Sequence, residues 1–420
     1  MAPSLNFRHR CLNFTSSHAI LGNNASLNRS GIHMLRIDSK ERPHWRELAK
    51  EYGFGFHTMY GEPYWDETGY YQFTLKQIER DLEDPTEEIH QMCLEVVDEV
   101  VSDEYWLRRF QIPEAMWQPI LDSWRSKEPS LYSRLDFAYD GTGFAKLYEN
   151  NADTPTSLYE TGFWQWLWLE DMVNSGAIRR DADQFNLLQE LLIERFKTLS
   201  RQQPGQTLHF SCCKDTVEDR GTVQYMEDCA KEAGLSTSFV FVEDIGINGK
   251  KEFTDLGDKP IRWMFKLYPW EFMLREEYAK YLPSTPINWL EPMWKSVLSN
   301  KALLPMLWQK FKGHPNLLPA YFADDPGLGE LRDYVIKPIF AREGANITIV
   351  ENGRQTLRVD GPYGDEGVIY QAYHPLPKFN NAYTLIGSWL VNDQAGGISI
   401  REDSSRITQD MSRYLPHIIL

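Results

Sequence analysis

The sequence predicts a mixed α+β and α/β chain, and three observations predict it. Helical periodicity dominates from about Leu75 to Trp124, with a break at Pro113. Two strand-bearing units follow: a strand–turn–strand pattern over Ser133 to Asn151 and a strand–helix–strand pattern that starts at Leu208. From Arg332 to the end the chain reads as strands with glycine-rich connections, at 334–340, 347–350, 368–373, 383–391 and 397–401. No internal repeat or low-complexity block interrupts this order.

With 420 residues, 42% of them hydrophobic, the chain can bury a large core in two or three structural units. Its longest apolar runs, such as Phe163 to Leu169, fall far short of a membrane-spanning helix, so a cytoplasmic protein is expected. A formal net charge of −16 argues against a nucleic-acid partner, which requires clustered Lys and Arg. The same charge suits a cationic small substrate, although solubility alone accounts for it. Five cysteines (Cys11, Cys93, Cys212, Cys213 and Cys229) form no CxxC pair, which speaks against a disulfide framework or structural zinc. The first 37 residues hold no acidic side chain and carry Arg8, Arg10, Arg29 and Arg36, a superficial match to a transit peptide. The simpler expectation is that Met34 is the start and that residues 1–33 are poorly ordered.

Within the hairpin, residues 133–139 alternate as a strand, Asp140 to Gly143 form the turn, and Phe144 to Asn151 return. A turn centred on Gly141 and Thr142 sets Arg134 opposite Glu149, with Asp136 diagonal to it. Arg134, Asp136, Glu149 and Asn151 then share one face. Thr154 as N-cap and Pro155 at the first position open a helix from Thr156 to about Val173. Its aromatic run Phe163 to Trp168 is expected to face the core. The unit from Leu208 comprises a strand ending in Cys212-Cys213, read as core packing, and an acidic turn Asp215 to Asp219. A helix stopped by Gly234 and a strand over 238–243 complete it.

Two carboxylates and an amide oxygen beside a guanidinium can form a platform for magnesium and a triphosphate, since magnesium is usually held by one or two carboxylates plus phosphate oxygens. Arg134 then stands where it can neutralise developing phosphoryl charge. An exposed hairpin face with a cross-strand Arg–Glu pair fits the same pattern. The helix start after the hairpin, with the hydroxyls of Thr154, Thr156 and Ser157, adds donors for a carboxylate or phosphate. Lys337, in a β-branched strand before Pro338, is a fixed counter-charge for phosphate or a lysine on an edge strand. Lys301, at a helix start, is electrostatically misplaced unless an anion sits there. Gly344 opens either a phosphate cradle or an ordinary loop. Glu218 and Asp219 are most simply read as carboxylates in the first turn of a helix, where the dipole favours them. His209, His314 and His374 share no metal-ligand spacing.

The run Ser133-Arg134-Leu135-Asp136, followed by Tyr148-Glu149-Asn150-Asn151-Ala152-Asp153-Thr154, resembles the synthetase domain of glutathionylspermidine synthases and their single-domain bacterial relatives. Further matches are Ser299 to Pro305, Val335-Ile336-Lys337-Pro338, Arg342 to Asn346, Gly387-Ser388-Trp389 and Ile400 to Asp403, in the same order. The resemblance covers about Ser39 to the C-terminus. It implies an ATP-grasp-like ligase fold with an inserted βαβ substrate-binding subdomain at about 200–295. The metal and ATP hairpin with its helix takes up about 125–195, and the nucleotide-binding part 296–420.

By the same resemblance the cofactors are ATP and Mg2+, with magnesium ligands at Asp136, Glu149 and Asn151. Arg134 and Arg401 fall on catalytic positions. ATP contacts fall on Arg134, Asp136, Lys301, Lys337, Arg342, Gly344, Gln371 and Arg401, with Arg342 to Asn346 matching a mobile lid. Thr154, Thr156, Glu218 and Asp219 fall on substrate positions. The implied reaction joins the carboxylate of a glutathione-like peptide to an amine such as spermidine through an acyl phosphate. No segment is long enough for the amidase domain of the bifunctional members, so amide hydrolysis is not expected. Thr154-Pro155-Thr156 departs from the small serine-type residues of the glutathione-specific enzymes, which leaves the peptide open. A glycosidase using Asp136 and Glu149 is one rival, and it leaves Lys301, Lys337 and Arg401 unexplained. A catalytically silent relative that binds ATP and peptide is the other, although each matched position keeps competent chemistry.

Overall fold

A short helix, Trp45–Glu51, comes before the predicted helical region, which then begins where the periodicity places it. In the computed structural model, which describes residues 34–409 and 412–420, a wide helical segment Gln77–Glu83 runs into the α-helix Asp84–Val101. Ile89, Cys93, Val96, Val97 and Val100 form one wholly buried stripe at helical spacing. Pro85 falls just after the junction of the two segments, where its missing N–H interrupts the α-helical bonding. The chain breaks at Asp103, whose carboxylate accepts from the Tyr105 N–H at 2.8 Å and caps the helix Glu104–Arg109. A second break at Pro113 precedes the helix Trp117–Arg125. The expectations about residues 1–33 lie outside the described residues.

Three sheets position the site. An antiparallel sheet runs in the order Arg413–Leu415, Gln394–Asp403, Ala382–Val391, Tyr132–Ala138, Lys146–Asn151, with Lys378–Phe379 added beside Ala382–Val391. A second antiparallel sheet runs Ala320–Phe322, Val368–Ala372, Tyr334–Pro338, Thr348–Glu351, Arg354–Arg358. The third is parallel: Asn288–Leu290, Trp263–Leu267, Leu208–Cys212, Thr237–Phe239. The helix Val217–Glu232 links its last two strands, as the βαβ pattern requires, and Gly234 at φ 89° ends the helix. The strand Arg354–Arg358 gave no periodic signal because its residues are mostly exposed and polar. Among the described residues no helix is long and apolar enough to cross a membrane.

The hairpin forms in a register two residues from the expected one. Arg134 faces Asn151, and Asp136 faces Glu149 directly. Residues 139–145 make the connection, and a bulge after Asp136 leaves Tyr148 outside the pairing. Asp140 holds the longer turn by accepting from both the N–H and the hydroxyl of Thr142 at 2.8 Å. Because the shift is even, the four residues still share a face. The face is not exposed, since every residue of Tyr132–Ala138 is buried between two neighbouring strands.

The helix after the hairpin also starts later than expected, at Leu158, and Thr154 does not cap it. Tyr132 Oη donates to the Pro155 carbonyl at 3.0 Å and Arg134 Nη1 to the Thr156 carbonyl at 2.9 Å. Side chains therefore hold the two carbonyls that would have accepted the first helical bonds. Helical bonding begins with the Thr161 N–H on the Ser157 carbonyl, and the segment continues through Glu160–Trp164 into Gln165–Asn174. Phe163, Trp164 and Trp168 face the core as predicted.

A buried ion pair fixes the entry to the hairpin. Glu291 and Lys295 lie 2.8 Å apart with neither side chain exposed. Glu291 accepts from the N–H groups of Leu131 and Tyr132, and Lys295 donates to the Tyr132 carbonyl at 2.6 Å. Removing one partner leaves a buried charge unpaired, so Glu291→Ala should cost about 3–5 kcal/mol of unfolding free energy in urea titrations. A loss under about 1 kcal/mol would show that the pair does not hold the strand.

Candidate active site

Residues from all three sheets line one cleft of about 530 Å³. Arg134, Asp136, Glu149, Asn151, Thr154, Thr156, Glu218, Asp219, Lys301, Lys337, Arg342, Gly344, Gln371 and Arg401 all face it. The cleft includes the carboxyl ends of the parallel strands, at Cys213 and Leu267, where ligands of α/β sheets usually bind. Cys213 therefore departs from the expected core role, whereas Cys212 is buried.

The floor is a web of buried charge. Arg134 donates to Asp136 through Nε at 2.6 Å and Nη2 at 3.1 Å. Arg401 Nη2 reaches the same carboxylate at 2.7 Å, and Asn151 Nδ2 at 3.1 Å. Burial works against charge on Arg134, but Asp136 outweighs it and raises the guanidinium pKa above its ordinary value. The aliphatic part of Arg134 passes over Gly387, where a Cβ would lie 2.6 Å from its Cδ. The guanidinium stands over the Trp389 ring at 5.4 Å.

Glu149 is the second carboxylate of this floor. Lys301 Nζ lies 3.0 Å from its Oε2, and Asn151 Nδ2 is 3.3 Å from its Oε1. Although burial opposes it, Lys301 and Lys337 together hold the Glu149 carboxyl well below its usual range. Lys301 precedes the helix Leu303–Lys310 and also donates to the Ala341 carbonyl at 2.7 Å. Lys337 is on a central strand rather than an edge, donating to Gln371 Oε1 at 2.7 Å and the Tyr148 carbonyl at 3.0 Å. Burial pushes its ammonium down to about 8, Lys301 adding to the shift while Glu149 and Asp136 oppose it. Among the described residues no three or more His, Cys, Asp or Glu side chains gather as a metal site. A cation on this floor would need further oxygens from a ligand.

The segment over the cleft is tied down on both sides. Arg342 Nη2 donates to Thr154 Oγ1 at 2.8 Å, and its Nη1 lies 3.4 Å from Glu271 Oε1. Gly344 has φ 72°, and a Cβ there would lie 2.6 Å from the Thr408 carbonyl oxygen. Both its conformation and its close approach to backbone exclude a side chain. On another wall, Asp219 accepts from Thr216 Oγ1 at 2.8 Å, and burial pushes its carboxyl up to about 6, with Glu218 adding.

Sequence reasoning missed the group that joins the hairpin to the parallel sheet. Asp153, 1% exposed, accepts from Lys266 Nζ at 2.6 Å and from the Trp270 N–H at 2.7 Å. Its signal was a lysine inside the otherwise apolar strand Trp263–Leu267. Glu271 had no local signal of a role here, and Gly387 and Trp389 were legible only as part of a matched motif, because each acts through a residue distant in sequence.

The family model described as "Glutathionylspermidine synthase preATP-grasp" matches residues 36–420. A Haemophilus influenzae protein named provisionally as an acid–amine ligase is 41% identical over 388 residues, covering 90% of this chain and 97% of that protein. Trypanothione synthetase of Crithidia fasciculata is 29% identical over 76% of this chain, which spans 52% of its length. The bifunctional glutathionylspermidine synthetase/amidase of Escherichia coli is 27% identical over 84% of this chain, which spans 60% of its length.

Since the Arg134 side chain fills the space above Gly387, Gly387→Ala should lower unfolding free energy by about 1–3 kcal/mol through overpacking. Denaturant titration measures it, and an unchanged midpoint would show that Arg134 is free to yield.

Proposed function

Because the chain belongs to the glutathionylspermidine synthase family and is an amide-forming ligase, we propose that it activates a peptide carboxylate with ATP and magnesium for attack by an amine. The observation that carries this reading is the charge of the cleft floor. Arg134, Lys301, Lys337 and Arg401 surround only two carboxylates, Asp136 and Glu149, so cations are in excess where a polyanion would lie. Glu218, Asp219 and Glu271 line other walls of the same cleft and suit a cationic amine such as a polyamine.

The donor set fits the implied groups. Asp136, Glu149 and Asn151 offer hard oxygen ligands for magnesium, provided that Asn151 reverses the amide it now turns toward the carboxylates. Arg401 Nε is buried without a hydrogen-bond partner among the described residues, a donor suited to a phosphate oxygen. A bound magnesium ion supplies charge neutralisation at the phosphates. Lys301 and Lys337 hold phosphate, Gln371 orients Lys337, and Arg134 with Arg401 meets the transferring phosphoryl group. Thr154 and Thr156 receive the peptide carboxylate, which becomes an acyl phosphate, and Arg342 with Gly344 closes the segment above. In this reading the chain is ATP-grasp-like, with 200–295 as the substrate-binding insertion and 296–420 as the nucleotide part. A glycosidase is disfavoured because it requires one carboxyl held protonated, whereas Lys301 and Lys337 hold Glu149 ionised.

ADP release across a matrix of short peptides, glutathione among them, and polyamines identifies the substrates. With the active pair, Arg134→Ala should lower kcat by about 10²-fold or more while nucleotide affinity stays nearly intact. Asp136→Asn or Glu149→Gln should instead weaken magnesium-dependent ATP binding. Carboxylate oxygens labelled with ¹⁸O should deliver one label to inorganic phosphate, and unlabelled phosphate during amide formation would exclude the acyl phosphate.

The Lys337 ammonium yields a second prediction. Its value of about 8 lies below the ordinary 10.5, so above pH 8 the free protein holds it largely neutral. Phosphate restores the charge, and ATP binding at that pH should take up protons. Calorimetry in buffers of different ionisation enthalpy measures the uptake, which Lys337→Met should abolish. Equal binding enthalpies across buffers would remove Lys337 from the phosphate site.

A further inference from the structure

Among the described residues, Glu160 has a hydrogen-bond partner at one of its two carboxyl oxygens. It lies in the first turns of the helical segment that follows the hairpin and is 1% exposed. Its Oε1 accepts from the Tyr64 hydroxyl at 2.6 Å, and its Oε2 has no hydrogen-bond partner among the described residues. Ser157 stands three residues earlier, the spacing at which serine and glutamate normally close a capping box. The box is not made: Ser157 has φ 72°, and its buried Oγ also has no partner among the described residues. The carboxyl is directed to Tyr64 instead, and Tyr64 lines the cleft together with Met59, Glu218 and Tyr414.

We propose that Tyr64 and Glu160 form the proton acceptor for the amine substrate, Tyr64 meeting the amine and Glu160 receiving the proton through it. The inference rests on the ligase reading above and adds a base to it. An amine enters at neutral pH as an ammonium ion and has no lone pair for attack until a proton leaves. Asp136 and Glu149 are engaged by arginine and lysine, so neither is available as that base. The ammonium gives a proton to the Tyr64 oxygen while the Tyr64 hydroxyl proton passes to Glu160 Oε1. This leaves a neutral amine, an unchanged phenol and a neutral carboxylic acid. The nitrogen lone pair then bonds to the acyl carbon, the carbon–oxygen bond to phosphate breaks with its electron pair on oxygen, and the second nitrogen proton leaves with the phosphate.

The surroundings tune such a base. Burial pushes the Glu160 carboxyl up to about 7, opposed by the Tyr64 hydroxyl and its own backbone N–H, with Glu218 raising it and Arg134 lowering it at longer range. Tyr159, beside it in sequence, feels the Glu160 charge as well. A base titrating near the working pH is the effective kind.

The test uses the full chain and the peptide and polyamine that the substrate matrix identifies, with hydroxylamine as a second acceptor that is largely unprotonated at neutral pH. In the wild type, kcat for the polyamine should rise through about pH 7. Glu160→Gln and Tyr64→Phe should lose that limb and fall by about 10²-fold, with KM for ATP unchanged and hydroxamate formation nearly normal. A wild-type pH profile in Glu160→Gln, or an equal loss with hydroxylamine, overturns the proposal. If one variant fails to fold, the other decides.

A substrate-free measurement keeps this inference separate from the ligase reading. A carboxyl raised from about 4.3 unfolded to about 7 folded stabilises the protein fully below the unfolded value and loses that contribution as pH rises through the folded one. The melting temperature of the wild type relative to Glu160→Gln should therefore fall between about pH 4.5 and 7, and the infrared band of a protonated carboxyl should fall to about half its intensity near pH 7 and vanish above about pH 8. A Glu160 already ionised at about pH 5 overturns the proposal, whereas a wild type that forms no amide with any tested pair counts against the ligase reading instead.

Discussion

Burying the Asp136 carboxylate is the constraint on which the site depends. An ionised carboxylate at 1% exposure is costly unless its oxygens are filled. Arg134, Arg401 and Asn151 fill them, and they come from three strands of one sheet. Between the strands of Arg134 and Arg401 runs Ala382–Val391, with Gly387 directly opposite Asp136 and Ser399. Only a glycine lets the Arg134 side chain pass there. One carboxylate and one missing side chain thus fix two guanidiniums, and both residues line the cleft.

The rest of the molecule keeps that carboxylate in register. Glu291 and Lys295 hold the backbone where the strand begins, and Asp153 with Lys266 holds the chain just after the hairpin ends. Both pairs are buried, so each is worth more as a constraint on position than as a source of stability. The parallel sheet is joined to the hairpin through Asp153, and the segment carrying Arg342 and Gly344 is joined to it through Thr154. A polyanion on the lysines would therefore be felt by the walls that carry the acidic groups.

The sequence was legible wherever a local pattern carried the signal. The buried stripe of Asp84–Val101, the βαβ unit with its Gly234 stop and the five strands read between Tyr334 and Arg401 follow from periodicity within a few residues, whereas Arg354–Arg358 and the short strands Arg413–Leu415 and His417–Ile419 carried no such signal. The candidate site was legible through its motifs, since the residues read from the hairpin and from the resemblance line one cleft. Errors arose where a local rule met a distant partner. Thr154 and Pro155 look like a helix start, but Tyr132 and Arg134 capture the carbonyls of Pro155 and Thr156, so the helix begins at Leu158. Two-residue turn geometry gave the wrong pairing because Asp140 stabilises a longer connection and a bulge takes up Tyr148.

What the sequence alone determined is the chemistry available: which side chains carry charge, which face of the hairpin they share, and the family to which their order belongs. Only the tertiary structure decided how those charges are paired. It set Asp136 against Glu149, placed Lys337 on a central strand, put Cys213 on a cleft wall and joined Glu160 to Tyr64 across 96 residues. The physical reason is one of range. Propensity and periodicity act over a few residues, whereas the cost of burying a charge is met by whichever partner the fold brings within about 3 Å, however far away it lies in the chain.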